Sequence, residues 1–346
     1  ILNVNNDTQF NYARIHSVKQ EPHSGKLVVG GLFTQYSQSS FIYSGAIRLR
    51  SSGTVDTDFS IGTGISGSWD PTTYYNPQVY SVQIEPTSRK IILGGQFKFF
   101  NGTKVYSIVR LRDSGSIDSD FKTGGGFTAS YYDDNYSGQI LKVLLQTDGK
   151  ILVAGYFTGY SGSTFIGGVA PGLIRLNQSG SIDTTFKYSS TSFASTAITD
   201  VFLDNSTSKI YVLGQFDIYS GSDRGLYQGL VRLNSNGSID STFATLPSNY
   251  GSYYQGYGVT DIKQLSTGKI VCAGYFDNVN SNRSLDKNRG IVRFTYNPGA
   301  AAGSSILTYD NTFTGYFYST DRLGPIKFIE QSDQKLVVVG NFSNYS

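Results

Sequence analysis

The 346-residue chain is short of the residues from which most catalytic and metal sites are made. Its single cysteine, Cys272, excludes an internal disulfide and a cysteine-built metal cluster. Two histidines, His16 and His23, leave little for a zinc site or a histidine-centred triad. Charged residues make up 15% of the chain, against about a quarter in ordinary soluble proteins. The net charge of +3 sets up no strong field for nucleic acid or a membrane surface. No apolar run reaches the roughly 18 residues of a membrane-spanning helix. The chain opens at Ile1 with neither an initiator methionine nor a signal-peptide pattern, so the expectation is a processed or partial chain. Glycine (40), tyrosine (26) and phenylalanine (22) are abundant instead. This composition argues against most enzymes and for an exposed, β-rich binding or structural protein.

Internal repetition is the strongest signal. A lysine, an apolar run and Gly-x-Phe recur as KLVVGGLF (26–33), KIILGGQF (90–97), KILVAGYF (150–157), KIYVLGQF (209–216), KIVCAGYF (269–276) and KLVVVGNF (335–342). The mean period is about 62 residues, longer than the roughly 40–50 of the commonest propeller repeats. A second frame, Asp-x-x-Phe, stands at Asp7/Phe10, Asp56/Phe59, Asp118/Phe121, Asp183/Phe186, Asp240/Phe243 and Asp310/Phe313. A third places Arg48, Arg110, Arg175, Arg232 and Arg293 between apolar residues. Arginine precedes aspartate by eight residues in four copies and by seventeen in the fifth, where TYNPGAAAGSS is inserted.

Each repeat reads as four strands, a to d. Strand a is apolar (79–85, 139–146) and ends in a short polar turn, and strand b is the Lys-to-Phe frame, rich in Val and Ile. Strand c carries the arginine, a glycine turn follows (DSGS, NQSGS, NSNGS), and strand d runs into Asp-x-x-Phe. Short strands at a long, constant period predict an all-β fold, a six-bladed β-propeller of four-stranded blades. The frames fall at about 7–55, 56–117, 118–182, 183–239, 240–309, and 310–346 plus 1–6, in one domain over 1–346. Because ILNVNND resembles LNSNGSID, the N-terminal residues are expected to supply strands c and d to the last blade, closing the ring and removing open edges.

The pattern K-[IL]-x-x-x-G-x-F, [IV]-R-[LF], G-[ST]-[IV]-D-x-x-F, present over essentially the whole chain, resembles the delta-60 repeat β-propeller family. That family occurs in bacterial surface or secreted proteins and in phage-related proteins. The resemblance implies no general enzymatic activity and no cofactor. It points to a phage virion protein, of tail or fibre, contacting the host surface or neighbouring virion proteins. A bacterial secreted or surface-anchored adhesin binding glycan or protein is the alternative, and a polysaccharide-acting hydrolase a third.

Variation within the repeat localises the expected site. The Lys-to-Phe interval is constant, while the b–c and d–a connections vary in length. In an up-and-down blade these two connections leave on the same side, where binding loops over a rigid scaffold gather. The d–a segments carry Trp69, Tyr74 and Tyr75; Tyr131, Tyr132 and Tyr136; and Tyr250, Tyr253, Tyr254 and Tyr257. Such rings suit contact with a glycan or protein, or they pack the loops on one another. Positions repeated in every blade read as scaffold: Tyr36, Phe100, Tyr160, Tyr219, Val279 and Tyr345, the repeated Phe, and Gly31, Gly95, Gly155, Gly214, Gly274 and Gly340.

The pairs Arg48/Asp56, Arg110/Asp118, Arg175/Asp183 and Arg232/Asp240 fall nearly opposite across a hairpin and read as structural ion pairs, with an oligosaccharide or phosphate site the lesser reading. A glycosidase needs two positioned carboxylates. The three glutamates, Glu21, Glu85 and Glu330, all stand beside the a–b turn, which reads as scaffold. Asp133 and Asp134 in YYDDNY form either a calcium site or dyad, or a solvated loop. Asp217, Asp223, Asp277 and Asp286 show no ligand spacing, so neither catalytic nor metal residues are expected. The basic residues form no patch for nucleic acid, and Cys272 reads as an inert core thiol.

Overall fold

The computed structural model describes residues 2–3, 13–33, 35–36, 44–67, 76–129, 137–164, 172–186, 193–204, 207–220, 223–224, 230–240, 242–243, 259–276, 289–296, 307–310, 312, 317–318, 327–340 and 344–345. The chain divides into two compact units, Ile1–Thr184 and Thr185–Ser346. Both are all-β, built from small antiparallel sheets.

In the first unit, three sheets each join strands a, b and c in that order. They are Arg14–Gln20, Leu27–Leu32 and Ala46–Leu49; Gln78–Ile84, Ile91–Gln96 and Ile108–Leu111; and Gln139–Leu145, Ile151–Tyr156 and Leu173–Leu176. The second unit repeats the order in Phe193–Asp204, Lys209–Ser220 and Leu230–Leu233, and in Val259–Gln264, Ile270–Phe276 and Arg289–Tyr296. A last hairpin pairs Lys327–Glu330 with Leu336–Val339.

The expected strand d is much reduced. In four blades it survives only as one bridge, Leu49↔Val55, Leu111↔Ile117, Leu176↔Ile182 or Leu233↔Ile239. The reason is the Asp-x-x-Phe frame, which is a turn. Asp56 N donates to Arg48 O at 2.9 Å, then Phe59 N donates to Asp56 O at 3.2 Å, and the chain leaves the ladder. The insertion in the fifth blade lengthens that hairpin, so Phe294–Tyr296 pairs over three positions with Leu307–Tyr309.

Strand a carries a β-bulge at the same place in five blades, between Ile15/Ser17, Val79/Ser81, Ile140/Lys142, Ile198/Asp200 and Val259/Asp261. The bulge explains one repeated glycine. A Cβ at Gly95 would fall on the carbonyl oxygen of Gln78, and Gly31 and Gly155 meet Arg14 and Gln139 in the same way. Buried apolar side chains fill the space between successive sheets. Val79 and Val82 of the second blade join Val28, Ala46 and Phe59 of the first in one core cluster. Ile140 and Val143 of the third join Ile92 and Ile108 of the second.

Candidate functional site

The charged residues of the repeat converge on one aspartate per blade. Arg48, Arg110, Arg175, Arg232 and Arg293 place Nε 2.6–2.8 Å from Oδ2 of Asp56, Asp118, Asp183, Asp240 and Asp310. The lysine that opens strand b reaches the same oxygen. Nζ of Lys26, Lys90, Lys150, Lys209 and Lys269 lies 2.6–3.0 Å from it. The lysine is a partner that hairpin reasoning missed, because strand b lies beside strand c rather than across the c–d turn. Its signal in the sequence was the constant Lys-to-Phe interval.

The rest of Asp-x-x-Phe completes the clamp. The guanidinium carbons of Arg48, Arg110 and Arg232 stand 4.9, 4.7 and 4.4 Å over the rings of Phe59, Phe121 and Phe243, within cation–π range. Oδ1 of Asp240 accepts from Thr242 N at 3.1 Å and Thr242 Oγ1 at 2.6 Å, and Asp310 receives Thr312 N and Oγ1 likewise. Burial raises the Asp240 carboxyl, but the bonds from Thr242 and Lys209 and the charge of Arg232 outweigh it and hold it at about 2. Asp56, Asp118 and Asp310 are also held below the usual carboxylate range, against burial, by their lysine and arginine partners.

These clamps also tie successive blades of the first unit. Arg48 Nη1 donates to Asp113 Oδ1 at 2.5 Å, and Arg110 Nη1 donates to Gln178 O at 2.7 Å, each in the next c–d turn. Ser60 N and Lys122 N donate to Ser114 O and Ser179 O of those turns at 2.9 and 2.7 Å. Gly115 sits there with φ of +90°, where a Cβ would come 2.5 Å from Ser60 O, so the turn needs glycine for its conformation and for the close approach. Glu21 and Glu85 accept from Arg48 and Arg110, each at 3.1 Å, while Glu330 accepts from Ser266 N at 2.8 Å. The glutamates and these five frame aspartates are thus held within the scaffold. Cys272 is fully buried, and burial pushes its thiol up.

The variable connections meet at one end of the blades. In the first unit, Phe99–Phe100 and Thr103–Lys104 form the b–c hairpin of the second blade, and Ile65–Ser66 of the preceding d–a connection adds to it as a third strand. Gly159–Tyr160 and Ser163–Thr164 take Phe127–Thr128 in the same way. At the N-terminus Leu2 pairs with Tyr36, as Ile65 pairs with Phe100. Residues 2–3 thus pair with the segment just beyond the first strand b, and the rest of ILNVNND lies outside the described residues.

The aromatic residues singled out for binding, Trp69, Tyr74, Tyr75, Tyr131, Tyr132, Tyr136, Tyr250, Tyr253, Tyr254 and Tyr257, all lie outside the described residues. So do Asp7, Phe10, Asp133 and Asp134. Among the described residues no cluster of His, Cys, Asp and Glu could hold a metal ion. Nor is any helix among the described residues long and apolar enough to cross a membrane.

No curated protein matches the chain. Among solved structures it is similar to the extracellular domain of a protein classed as a hybrid two component system of Bacteroides thetaiotaomicron, with 11% identity over 98% of this chain and 38% of that one, and a TM-score of 0.44. It thus spans well under half the length of that relative. It is also similar to an endo-1,4-beta-xylanase of the same organism, with 11% identity over 96% of both chains and a TM-score of 0.33. Four segments, residues 24–59, 88–121, 146–186 and 206–243, match the family model of the DUF5122 β-propeller, a domain of unknown function. Each runs from strand b to the aspartate clamp, so these four segments carry the repeat of the DUF5122 β-propeller.

Proposed function

We propose that the protein is a non-enzymatic recognition module, a six-bladed propeller whose long aromatic loops on one face contact a host surface or neighbouring virion proteins. The observation that carries this reading is the pairing of b–c hairpins with d–a segments, which gathers the variable connections at one end of the blades. The repeated charges, by contrast, are held in scaffold clamps. The resemblance of the repeat to a family of phage and bacterial surface proteins favours a virion tail or fibre component, exposed outside the cell.

Six blades forming a ring are part of the proposal. Ile15 and Val18 on the first strand a are 56% and 48% exposed, although they occupy the positions that Val79 and Val82 bury against the preceding blade. Val337 and Val339 on the last strand b are 41% and 60% exposed, at positions equivalent to Val28 and Gly30, which take the next blade. Each end of the repeat series thus offers one half of the ordinary blade–blade interface.

The test is capture of isolated bacterial cell envelopes and of disrupted virions on immobilised protein. Wild type is expected to retain a partner, and Tyr253→Ala/Tyr254→Ala to lose it with an unchanged melting temperature. Release of reducing ends from a polysaccharide, abolished in Asp133→Asn/Asp134→Asn, would show an enzyme instead.

A further inference from the structure

The bulge on strand a does more than bend the strand. It brings His16 and Tyr80 to the same place in the first and second blades, each one residue before the register resumes. Bulges re-aim side chains in this way beside binding sites. The two rings lie 5.0 Å apart between centroids, tilted by 47°. Amide side chains surround them. His16 Nε2 and Gln78 Oε1 are 3.0 Å apart, which puts the ring proton on Nε2 and leaves Nδ1 as an acceptor. Gln139 Nε2 of the third blade donates to Tyr80 Oη at 2.9 Å, and Tyr80 Oη donates in turn to Gln96 Oε1 at 3.4 Å. Two hydrogen-bonded groups, joined by the His16–Tyr80 ring contact, therefore span three successive blades of the first unit.

This network stands where strand a begins and strand b ends, since Gln78 pairs with Gln96 and Gln139 with Tyr156. That is the end from which the b–c hairpins and d–a segments emerge. His16 and Tyr156 are exposed, and Gln78, Tyr80 and Gln139 are half-buried. Partial desolvation of the ring beside its neighbours lowers the His16 pKa and, with the charge of Arg14, outweighs the bond to Gln78, so the ring is neutral at neutral pH.

We propose that His16, Gln78, Tyr80 and Gln139 form a binding site for a neutral saccharide. Amides and a neutral imidazole supply donors and acceptors side by side, as the vicinal hydroxyls of a sugar require. The His16 and Tyr80 rings offer apolar faces with polar edges to the sugar's C–H surface. Hydrogen bonds already made within the network hold these groups in place and reduce the entropy lost on binding. The network includes no carboxylate to repay a cationic ligand. The site rests on the recognition reading above and deepens it by naming a ligand class and residues distinct from the loop rings.

The test is a microarray of neutral and uronic acid oligosaccharides, read with wild type, Gln139→Ala, Tyr80→Phe and Tyr253→Ala/Tyr254→Ala, each checked by thermal melting. Tyr80→Phe keeps the ring and its packing, so loss of binding there reports the hydroxyl and not folding. A neutral saccharide is expected to bind wild type and to weaken about tenfold in Gln139→Ala and in Tyr80→Phe, the effect of losing one hydrogen bond that leaves its partner unpaired. Unaltered binding in both variants overturns the proposal, as does binding of uronic acid oligosaccharides alone or of none. If saccharide binding is lost only in Tyr253→Ala/Tyr254→Ala, this site falls and the loop reading stands. If envelope and virion capture also fails in wild type, both fall.

Discussion

Arg110 Nε and Asp118 Oδ2 lie 2.7 Å apart across the c–d hairpin, and Lys90 Nζ meets the same oxygen at 2.9 Å from strand b. Asp118 is buried, so removing its charge takes the carboxylate from Lys90 and leaves Arg110 with Glu85 and the Gln178 carbonyl. Asp118→Asn is expected to cost about 3 kcal/mol or more, as broken buried ion pairs do. Arg112 is half exposed and stands 3.9 Å from Asp118, so Arg112→Ala is expected to stay within about 0.5 kcal/mol, as surface substitutions do. Urea unfolding of the two variants decides whether the clamp is the stabilising element.

Two adjacent glycines of strand b separate two kinds of close approach. A Cβ at Gly95 runs into the backbone oxygen of Gln78, which the bulge holds in place. At Gly94 it meets the Val143 and Ile140 methyls at 2.7 and 2.8 Å, and those side chains can shift. The third blade already has Ala154 at the position of Gly94. Gly95→Ala is expected to lower stability by about 3 kcal/mol, at the upper end of ordinary overpacking, and Gly94→Ala by about 1 kcal/mol. Melting temperatures in the reverse order would contradict this account of the bulge.

The clamp also fixes how stability responds to acid. The carboxyl of Asp240 is held at about 2 in the folded chain, below the roughly 3.9 of an unfolded aspartate. A lowered folded value adds stability that is complete above the unfolded value and is lost as pH falls towards the folded one. Asp56, Asp118 and Asp310 shift in the same direction. Asp261 shifts upward, chiefly through burial, and offsets part of the effect. The melting temperature is therefore expected to fall steeply between about pH 4 and pH 2. Asp240→Asn is expected to be less stable at neutral pH and to show a shallower fall over the same interval.

The repeat made much of this legible in advance. Arg110 and Asp118 could be paired from sequence because a hairpin turn fixes which residues face each other. Gly95 could be read as a close approach because a strand glycine packs nothing of its own. The third member of the clamp, Lys90, was not read, since strand b meets strand c through a long connection that leaves register open. The length of strand d was misjudged because Asp118 to Phe121 looks like the end of a strand, whereas Phe121 N bonds back to Asp118 O and makes it a turn. The network of His16, Tyr80 and Gln139 depends on a bulge, and a one-residue change of register leaves no periodic trace in an apolar strand.

Melting and partner capture measured side by side on wild type, Asp118→Asn and Tyr253→Ala/Tyr254→Ala separate scaffold from recognition surface most directly. The expected result is that the tyrosine variant melts like wild type and loses capture of envelopes or virion proteins, whereas Asp118→Asn melts several degrees lower. The contrary result is a tyrosine variant that loses the several kcal/mol typical of core truncation, in which case those rings pack the loops and do not bind a partner.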